Sequence, residues 1–344
     1  MTDEPTQLQE SAFSTRLEPL GRILEDRYHY IWGCSPIYGP DGTVHVFYSR
    51  WRRKHGMIGW LIDCEIVHAV ADHPAGPYQL VDDPVVLAGA GGDNWDGVTV
   101  HNPEVHEVDG GYVMLYVGNS LAYSQNLVER TKIGMAFADS LDGPWTRHPD
   151  NPIIDRGERG EWDSVSVDTP SLLAHPDGRY FIYYRSWTGR DSDVRNDTIG
   201  VAIAEDLLGP YEKHPENPII DPRTLTDQRP VGVEDPCAFV EDGTIHLLTR
   251  DFGVQSGRSG FSPCSGLLFS SEDGIDFAMP PEIGYHEAER YYGEAENDHD
   301  LIRYGRFERP KVLMEDGHPR YLFNAMRGGP FGTATGHVFE VDSP

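Results

Sequence analysis

Lysine and cysteine are the scarce residues of this chain, four of each in 344 positions. Cys34, Cys64, Cys237 and Cys264 show no Cys-x-x-Cys spacing, and each falls in or beside an apolar, strand-like run. That pattern argues against zinc sites and a disulfide framework and for small buried thiols. No stretch approaches the roughly 18 consecutive apolar residues of a membrane span. The opening Met1-Thr-Asp-Glu-Pro-Thr-Gln lacks the basic and apolar regions of a secretory leader, so the chain reads as cytoplasmic. No glycine-rich phosphate loop is visible. Positive charge is itself short: 28 Lys and Arg against 56 Asp and Glu leave a net charge of −28. Such a surface repels phosphates, which excludes nucleic acid and anionic membranes as natural partners. Because 24 of the cations are arginine, the balance resembles that of proteins kept soluble in high salt.

Proline and glycine, by contrast, are plentiful and ordered. Pro36, Pro103, Pro170, Pro236 and Pro310 stand 67, 67, 66 and 74 residues apart, each a few residues ahead of a glycine-containing turn. A period of that length in apolar, strand-like sequence is the mark of one supersecondary unit repeated around a ring. The turns Asp41-Gly42, Asp109-Gly110, Asp177-Gly178, Asp242-Gly243 and Asp316-Gly317 are hairpin signals, because both central residues tolerate positive φ. Return strands are expected at 43–49, 112–117, 180–184, 244–249 and 320–324. Third strands are expected at 65–69, 132–138, 198–204, 265–269 and 336–341. Gly76-Pro77-Tyr78, Gly143-Pro144-Trp145 and Gly209-Pro210-Tyr211 open short fourth strands. Four antiparallel strands, five times, define an all-β, five-bladed β-propeller over residues 1–344. The fifth unit ends at its third strand, so the N-terminal segment 16–24 is expected to supply the fourth and close the ring. Residues 52–63 in blade one and 278–304 in blade five read as insertions. Trp95-Asp96 recurs as Trp162-Asp163, and 148–155 recurs as 214–221, which favours architectural roles for both.

In a propeller the first strand of every blade lines the central channel, so the residues before the five prolines meet at one mouth. They are Cys34-Ser35, His101-Asn102, Asp168-Thr169, Glu234-Asp235 and Glu308-Arg309. A hydrophobic core does not select such residues, because unpaired buried charge is costly. Crowded carboxylates raise one another's pKa, which is how a carboxyl is kept protonated for acid catalysis. Strand polarity brings Arg50-Trp51, Asn119, Arg185, Arg250-Asp251 and Arg327 to the same mouth, with Glu65 and His68 beside them. Tryptophan faces, bidentate arginines and carboxylates suit a polyhydroxylated ligand.

Through these motifs the chain resembles the five-bladed propeller glycoside hydrolases of families 43, 32 and 117, with the family 130 phosphorylases as more distant cousins. Trp32-Gly-Cys-Ser-Pro36, Cys64-Glu-Ile-Val-His-Ala69, His101-Asn-Pro103, Glu234-Asp-Pro236 and Phe307-Glu-Arg-Pro-Lys311 resemble in particular a family 43-like or 117-like group. The resemblance implies glycoside hydrolysis by paired carboxylates with inversion, and the cytoplasmic reading points to small oligosaccharides and exo-action. Glu234 holds the general-acid position. Thr169 stands where the family has a modulating Asp, with Asp168 one residue earlier, and Ser35 stands where the family has its blade-one base. Asp168, Glu65 and Asp235 are the replacements for that base, Asp168 first, with Asp235 tuning the acid. His101, Asn102, Arg309, Arg185, Arg250, Asp251, Glu65, His68 and Ser35 are expected to hold sugar hydroxyls. Trp32 is expected to form a stacking wall and Glu308 to anchor Arg309 or a hydroxyl. No cofactor is required. A channel cation such as calcium, on His101 and axial carboxylates, stays open, as do phosphorolysis and a non-catalytic sugar-binding role.

Overall fold

The computed structural model describes residues 8–120, 131–187, 197–221, 232–251, 266–293 and 305–343. They form five four-stranded antiparallel sheets. An N-terminal strand, β1 (Leu17–Ile23), precedes blade one, which comprises β2 (His29–Tyr38), β3 (Val44–Arg52), β4 (Glu65–Ala71) and β5 (Gln79–Leu87). Blade two contains β6 (Thr99–Val108), β7 (Gly111–Asn119), β8 (Lys132–Ala138) and β9 (Thr146–Arg147). Blade three contains β10 (Asp168–Ala174), β11 (Tyr180–Trp187), β12 (Asp197–Ala204) and β13 (Glu212–Lys213). Blade four follows with β14 (Val233–Glu241), β15 (Thr244–Asp251), β16 (Gly266–Ser271) and β17 (Glu282–Tyr285). Blade five is β18 (Phe307–Glu315), β19 (His318–Gly328) and β20 (Thr333–Val341), and β1 pairs with β20 to complete it. The inner strands β2, β6, β10, β14 and β18 touch in sequence and β18 returns to β2, so the ring is closed. The fourth strand of blade four is drawn from 282–285, inside the segment expected to be a blade-five insertion. The Asp273–Phe277 stretch makes only the turn before it.

Every blade is covered on both faces, so its middle strands are apolar at consecutive positions. In β7, Val113, Met114, Leu115, Tyr116 and Val117 are all buried. Alternation survives in the partners: Met114 and Tyr116 pack against blade one with Phe47, whereas Val113 and Leu115 face Leu172, Ile182 and Tyr184 of blade three. Burying such side chains contributes about 1.5–3 kcal/mol each, which makes the blade interfaces the main source of stability. The Trp-Asp repeats are architectural, as expected. Trp95 stacks on Tyr116, Asp96 accepts from the Tyr116 hydroxyl at 3.0 Å, and Asp163 accepts from Tyr184 at 3.1 Å. Cys34, Cys64 and Cys237 are buried free thiols, and Cys264 lies outside the described residues.

Each inner strand carries a one-residue β-bulge at the same height, between Trp32 and Ser35, His101 and Glu104, Asp168 and Ser171, Glu234 and Cys237, and Glu308 and Lys311. Its second residue is left-handed in all five: Gly33 (φ 61°), Asn102 (51°), Thr169 (48°), Asp235 (60°) and Arg309 (55°). For the β-branched Thr169 this is a strained conformation. The next residue is Pro103, Pro170, Pro236 or Pro310 in blades two to five, where a bulge needs no ladder N–H. In blade one it is Cys34. Pro36 therefore sits two residues past the repeat and corresponds to Val105, which corrects the expected register.

The following ring of positions explains that shift. Ser35, Glu104, Ser171 and Cys237 each accept a hydrogen bond from a backbone N–H of the next blade. The donors are Val105 (2.9 Å), Leu172 (2.9 Å), Ala238 (2.9 Å) and Val312 (3.3 Å). At the fifth junction the acceptor position is Lys311, a pure donor, and the facing residue is Pro36, which has no N–H. The two absences match. Lys311 instead reaches across the channel to the Glu104 carboxylate and, at 3.4 Å, the Pro170 carbonyl.

His68 belongs to the blade-one/blade-two interface and not to the mouth. It is fully buried, stacked on Phe47 at 4.4 Å and hydrogen-bonded to His45 at 2.8 Å. Three residues along β4 from the mouth, it has descended into the packing layer. Burial, with His45 beside it, pushes its imidazole down from 6.5 to about 3. The unfolded chain thus binds a proton below about pH 6.5 that the folded protein refuses, and stability should fall as pH drops from 6.5 towards 4. One such histidine contributes up to about 1.4 kcal/mol per pH unit. Urea unfolding between pH 7 and 4.5 should show this slope, and His68→Phe should flatten it by about one proton.

Candidate active site

The bulges turn one side chain per blade toward one mouth: Trp32, His101, Asp168, Glu234 and Glu308. All five line a cavity of about 310 Å³, together with Ser49, Trp51, Met57, Trp60, Asn102, Arg185, Arg250, Arg306, Arg309 and Arg327. Among the described residues the lining therefore holds three carboxylates, those of Asp168, Glu234 and Glu308. Below the bulges Lys311 and Glu104 bridge the channel, and neither lines this cavity. A second cavity, lined by Ser35, Glu104, His106, Lys311 and aliphatic residues, opens at the far end.

Two buried arginines position the acids. Arg185, opposite Asp168 on β11, places Nη1 2.9 and 3.1 Å from the two Asp168 oxygens, donates through Nε to Asp197 at 2.8 Å and lies 3.6 Å from Glu234. Arg250, opposite Glu234 on β15, sets one nitrogen, Nη1, between Glu234 (2.5 Å) and Glu308 (2.7 Å). Asp168, Glu234, Arg185 and Arg250 are all buried. Charge-assisted bonds of this kind are about twice as strong as neutral ones. The surrounding carboxylates hold Arg185 well above its ordinary pKa despite burial.

Asp235 departs from its expected place. It is not part of the cavity lining, and its carboxylate accepts from the Arg309 backbone N–H at 3.0 Å and from the Arg309 guanidinium. Burial raises it to about 7 against the pull of Arg309, and the charge of Glu234 adds to the rise. His101 is buried edge-on to Trp60 at 5.0 Å, and burial with Arg309 nearby lowers it to about 3, so it is neutral near pH 7. Ser35 lies a layer below the cavity, where its hydroxyl accepts from the Val105 N–H. Glu65 is paired with Arg50 at 2.5 Å outside the lining, and Asp251 also lies outside it. These three and His68 are not brought to the pocket. Their expected places followed from the Pro36 register and from counting strand ends without the bulge.

The pocket's aromatic side was only half visible in the sequence. Trp51 stacks on Tyr30 at 5.5 Å and donates to the Gly56 carbonyl at 2.9 Å. The 52–63 insertion folds into two 3₁₀ turns that bring Met57 and Trp60 over the cavity. A Cβ on Gly59 would strike the Trp51 ring, so glycine is needed for that approach. A Trp within an insertion next to the channel was the available signal for Trp60.

Glu234, Asp235 and Glu308 can bring three oxygens within 4.8 Å of one another. Calcium requires six to eight oxygen ligands, and here the guanidinium nitrogen of Arg250 stands between two of the three carboxylates. Arginine supplies the positive charge, and the residues do not fit a channel calcium.

No family model matches the chain. By structure it is similar to a family 117 glycoside hydrolase from the marine bacterium Zobellia galactanivorans (TM-score 0.66, 19% identity, 99% of this chain and 92% of that one). It is also similar to a thermostable family 43 glycoside hydrolase (TM-score 0.59, 16% identity, 92% of this chain and 94% of that one). A Bombyx mori family 32 β-fructofuranosidase matches with TM-score 0.64 and 14% identity, over 95% of this chain and 62% of that one. By sequence it is similar to the extracellular endo-α-(1→5)-L-arabinanase 2 of Bacillus subtilis, 23% identical over 67% of this chain and 45% of the relative. An uncharacterised Mycobacterium tuberculosis protein is 29% identical over 34% of this chain and 38% of its own length. The chain thus spans less than half the length of these curated relatives. The fold class is that of the five-bladed propeller glycoside hydrolases.

Loss of Arg185 tests the electrostatic arrangement. Arg185→Met strands the buried Asp168 and Asp197 carboxylates, and an unpaired buried charge typically costs about 3–5 kcal/mol. Chemical denaturation at pH 7 should show a loss of that size, shrinking as the pH is lowered and the carboxylates take up protons.

Proposed function

We propose that this protein is a glycoside hydrolase that removes a terminal sugar from a small oligosaccharide with inversion. Glu234 protonates the leaving oxygen, and Asp168 is the base that activates water. The single observation carrying this reading is that carboxylates from neighbouring blades converge on one guanidinium, that of Arg185, in a cavity with tryptophan walls. Glycoside hydrolysis requires one carboxyl as acid and one as base or nucleophile across the scissile bond.

Each remaining group has a defined task. Arg250 fixes the Glu234 carboxyl from one side and shares its nitrogen with Glu308, which keeps the acid in one orientation. Glu308 and Asn102 face sugar hydroxyls. Trp32, Trp51 and Trp60 cover apolar ring faces and exclude water, which strengthens every charge interaction inside. The resemblance to propeller hydrolases supports inversion.

A panel of aryl glycosides and short oligosaccharides should reveal turnover. Glu234→Gln and Asp168→Asn should each lower kcat by about 10²–10⁴-fold, the usual contribution of one acid or base, with sugar binding retained by calorimetry. Unchanged kcat in either variant removes that residue from its role.

A further inference from the structure

A run of hydrogen bonds in blade one fixes where the protons of two histidines lie. It starts at the Asp41-Gly42 turn, where the Thr43 hydroxyl donates to the Asp41 carboxylate at 2.6 Å. A hydroxyl has one proton, so the 3.0 Å bond between Thr43 Oγ1 and His45 Nε2 is donated by the imidazole. Burial lowers the pKa of His45, and a neutral imidazole carries a single N–H, so Nδ1 of His45 is bare. That nitrogen lies 2.8 Å from Nε2 of His68, which is therefore the donor. His68 is neutral as well, so its other nitrogen, Nδ1, holds a lone pair and no proton.

Nδ1 of His68 is buried with no hydrogen-bond partner among the described residues, and Asp142 Oδ1 stands 4.0 Å from it. Asp142 follows β8 in blade two, and its side chain is 74% exposed. Two acceptors thus face each other across the junction of two blades, an arrangement that repels unless a cation lies between them. The gap is wider than a hydrogen bond. It is close to the sum of one zinc–nitrogen and one zinc–oxygen bond, each about 2.0–2.2 Å. An ion bonded to both atoms fills the gap itself, so no water-sized void is needed, and the exposed Asp142 can swing to set the angle at the ion. His45, His68 and Asp142 can each bring one ligand atom within 4.8 Å of the others. A metal-bound imidazole needs its second nitrogen held by a hydrogen bond, which His45 supplies, backed by Thr43 and Asp41. Imidazole beside carboxylate suits zinc or cobalt, whereas calcium and magnesium take oxygen ligands. The net charge of −28 draws cations to the surface. We infer that His68 Nδ1 and Asp142 bind a divalent transition-metal ion such as Zn²⁺, which clips blade one to blade two, with water completing its coordination.

The test is calorimetric titration of chelator-stripped protein with Zn²⁺ and Co²⁺, against Ca²⁺ and Mg²⁺. One Zn²⁺ per chain should bind, with Ca²⁺ and Mg²⁺ at least about tenfold weaker. Asp142→Ala removes an exposed ligand and should abolish binding in protein whose metal-free melting curve matches the native one. His45→Phe removes only the outer support and should weaken binding about ten- to a hundredfold. Zn²⁺ should also raise the melting temperature of the native protein and leave that of Asp142→Ala unmoved. Zinc bound as tightly by Asp142→Ala as by the native protein overturns the inference, because the ion then sits elsewhere, as at the cluster of Glu234, Asp235 and Glu308. Failure of the native protein to bind Zn²⁺, or equal affinity for Ca²⁺, overturns it too. Unchanged binding in His45→Phe overturns the proton assignment on which it rests.

Discussion

The Arg185 and Arg250 guanidinium groups, each buried between carboxylates of different strands, are the constraint on which the site depends. Without them, Asp168, Glu234 and Glu308 could not share one cavity, because mutual repulsion at low dielectric would drive them apart. With them, the acids stay crowded and fixed in direction before any substrate arrives. Charges already fixed in a dry site stabilise developing charge without reorganising, and much of the rate enhancement of enzymes comes from that effect. The arginines stand opposite the acids in the ladder, Arg185 against Asp168 and Arg250 against Glu234, so strand register is what sets the electrostatics.

Register in turn depends on the five bulges. A left-handed residue at the same height in every inner strand rotates the preceding side chain into the mouth and sends the next acceptor toward the neighbouring blade. The ring below the site is stitched by four such bonds, and the fifth junction avoids an unmet donor and acceptor by placing Pro36 opposite Lys311. Fold and site are therefore one arrangement: the element that joins the blades also aims the acids.

Much of this was legible in the chain. The Asp-Gly turns and the proline period gave five blades, and the shortfall at the end of the fifth pointed to β1 as the closing strand. Glu234, Asp168, His101, Arg185 and Arg250 were visible because four of the five repeat positions carry proline directly after the bulge. Blade one was misread because Pro36 mimics that proline two residues late, which put Ser35 at the mouth and left Trp32, its true occupant, with only a stacking role. Glu65 and His68 failed because strand ends locate a side chain to within a residue, and one residue reverses its face. Met57, Trp60 and β17 came from insertions, where no repeat exists to copy from.

The account stands on Glu234 acting as the proton donor to the leaving group. The direct measurement is kcat/KM against leaving-group pKa, over a series of aryl glycosides of an accepted sugar, for the native protein and Glu234→Gln. A shallow dependence in the native protein and a steep one in the variant, converging for the best leaving groups, is the expected result. Parallel lines, with every substrate slowed alike, would contradict it.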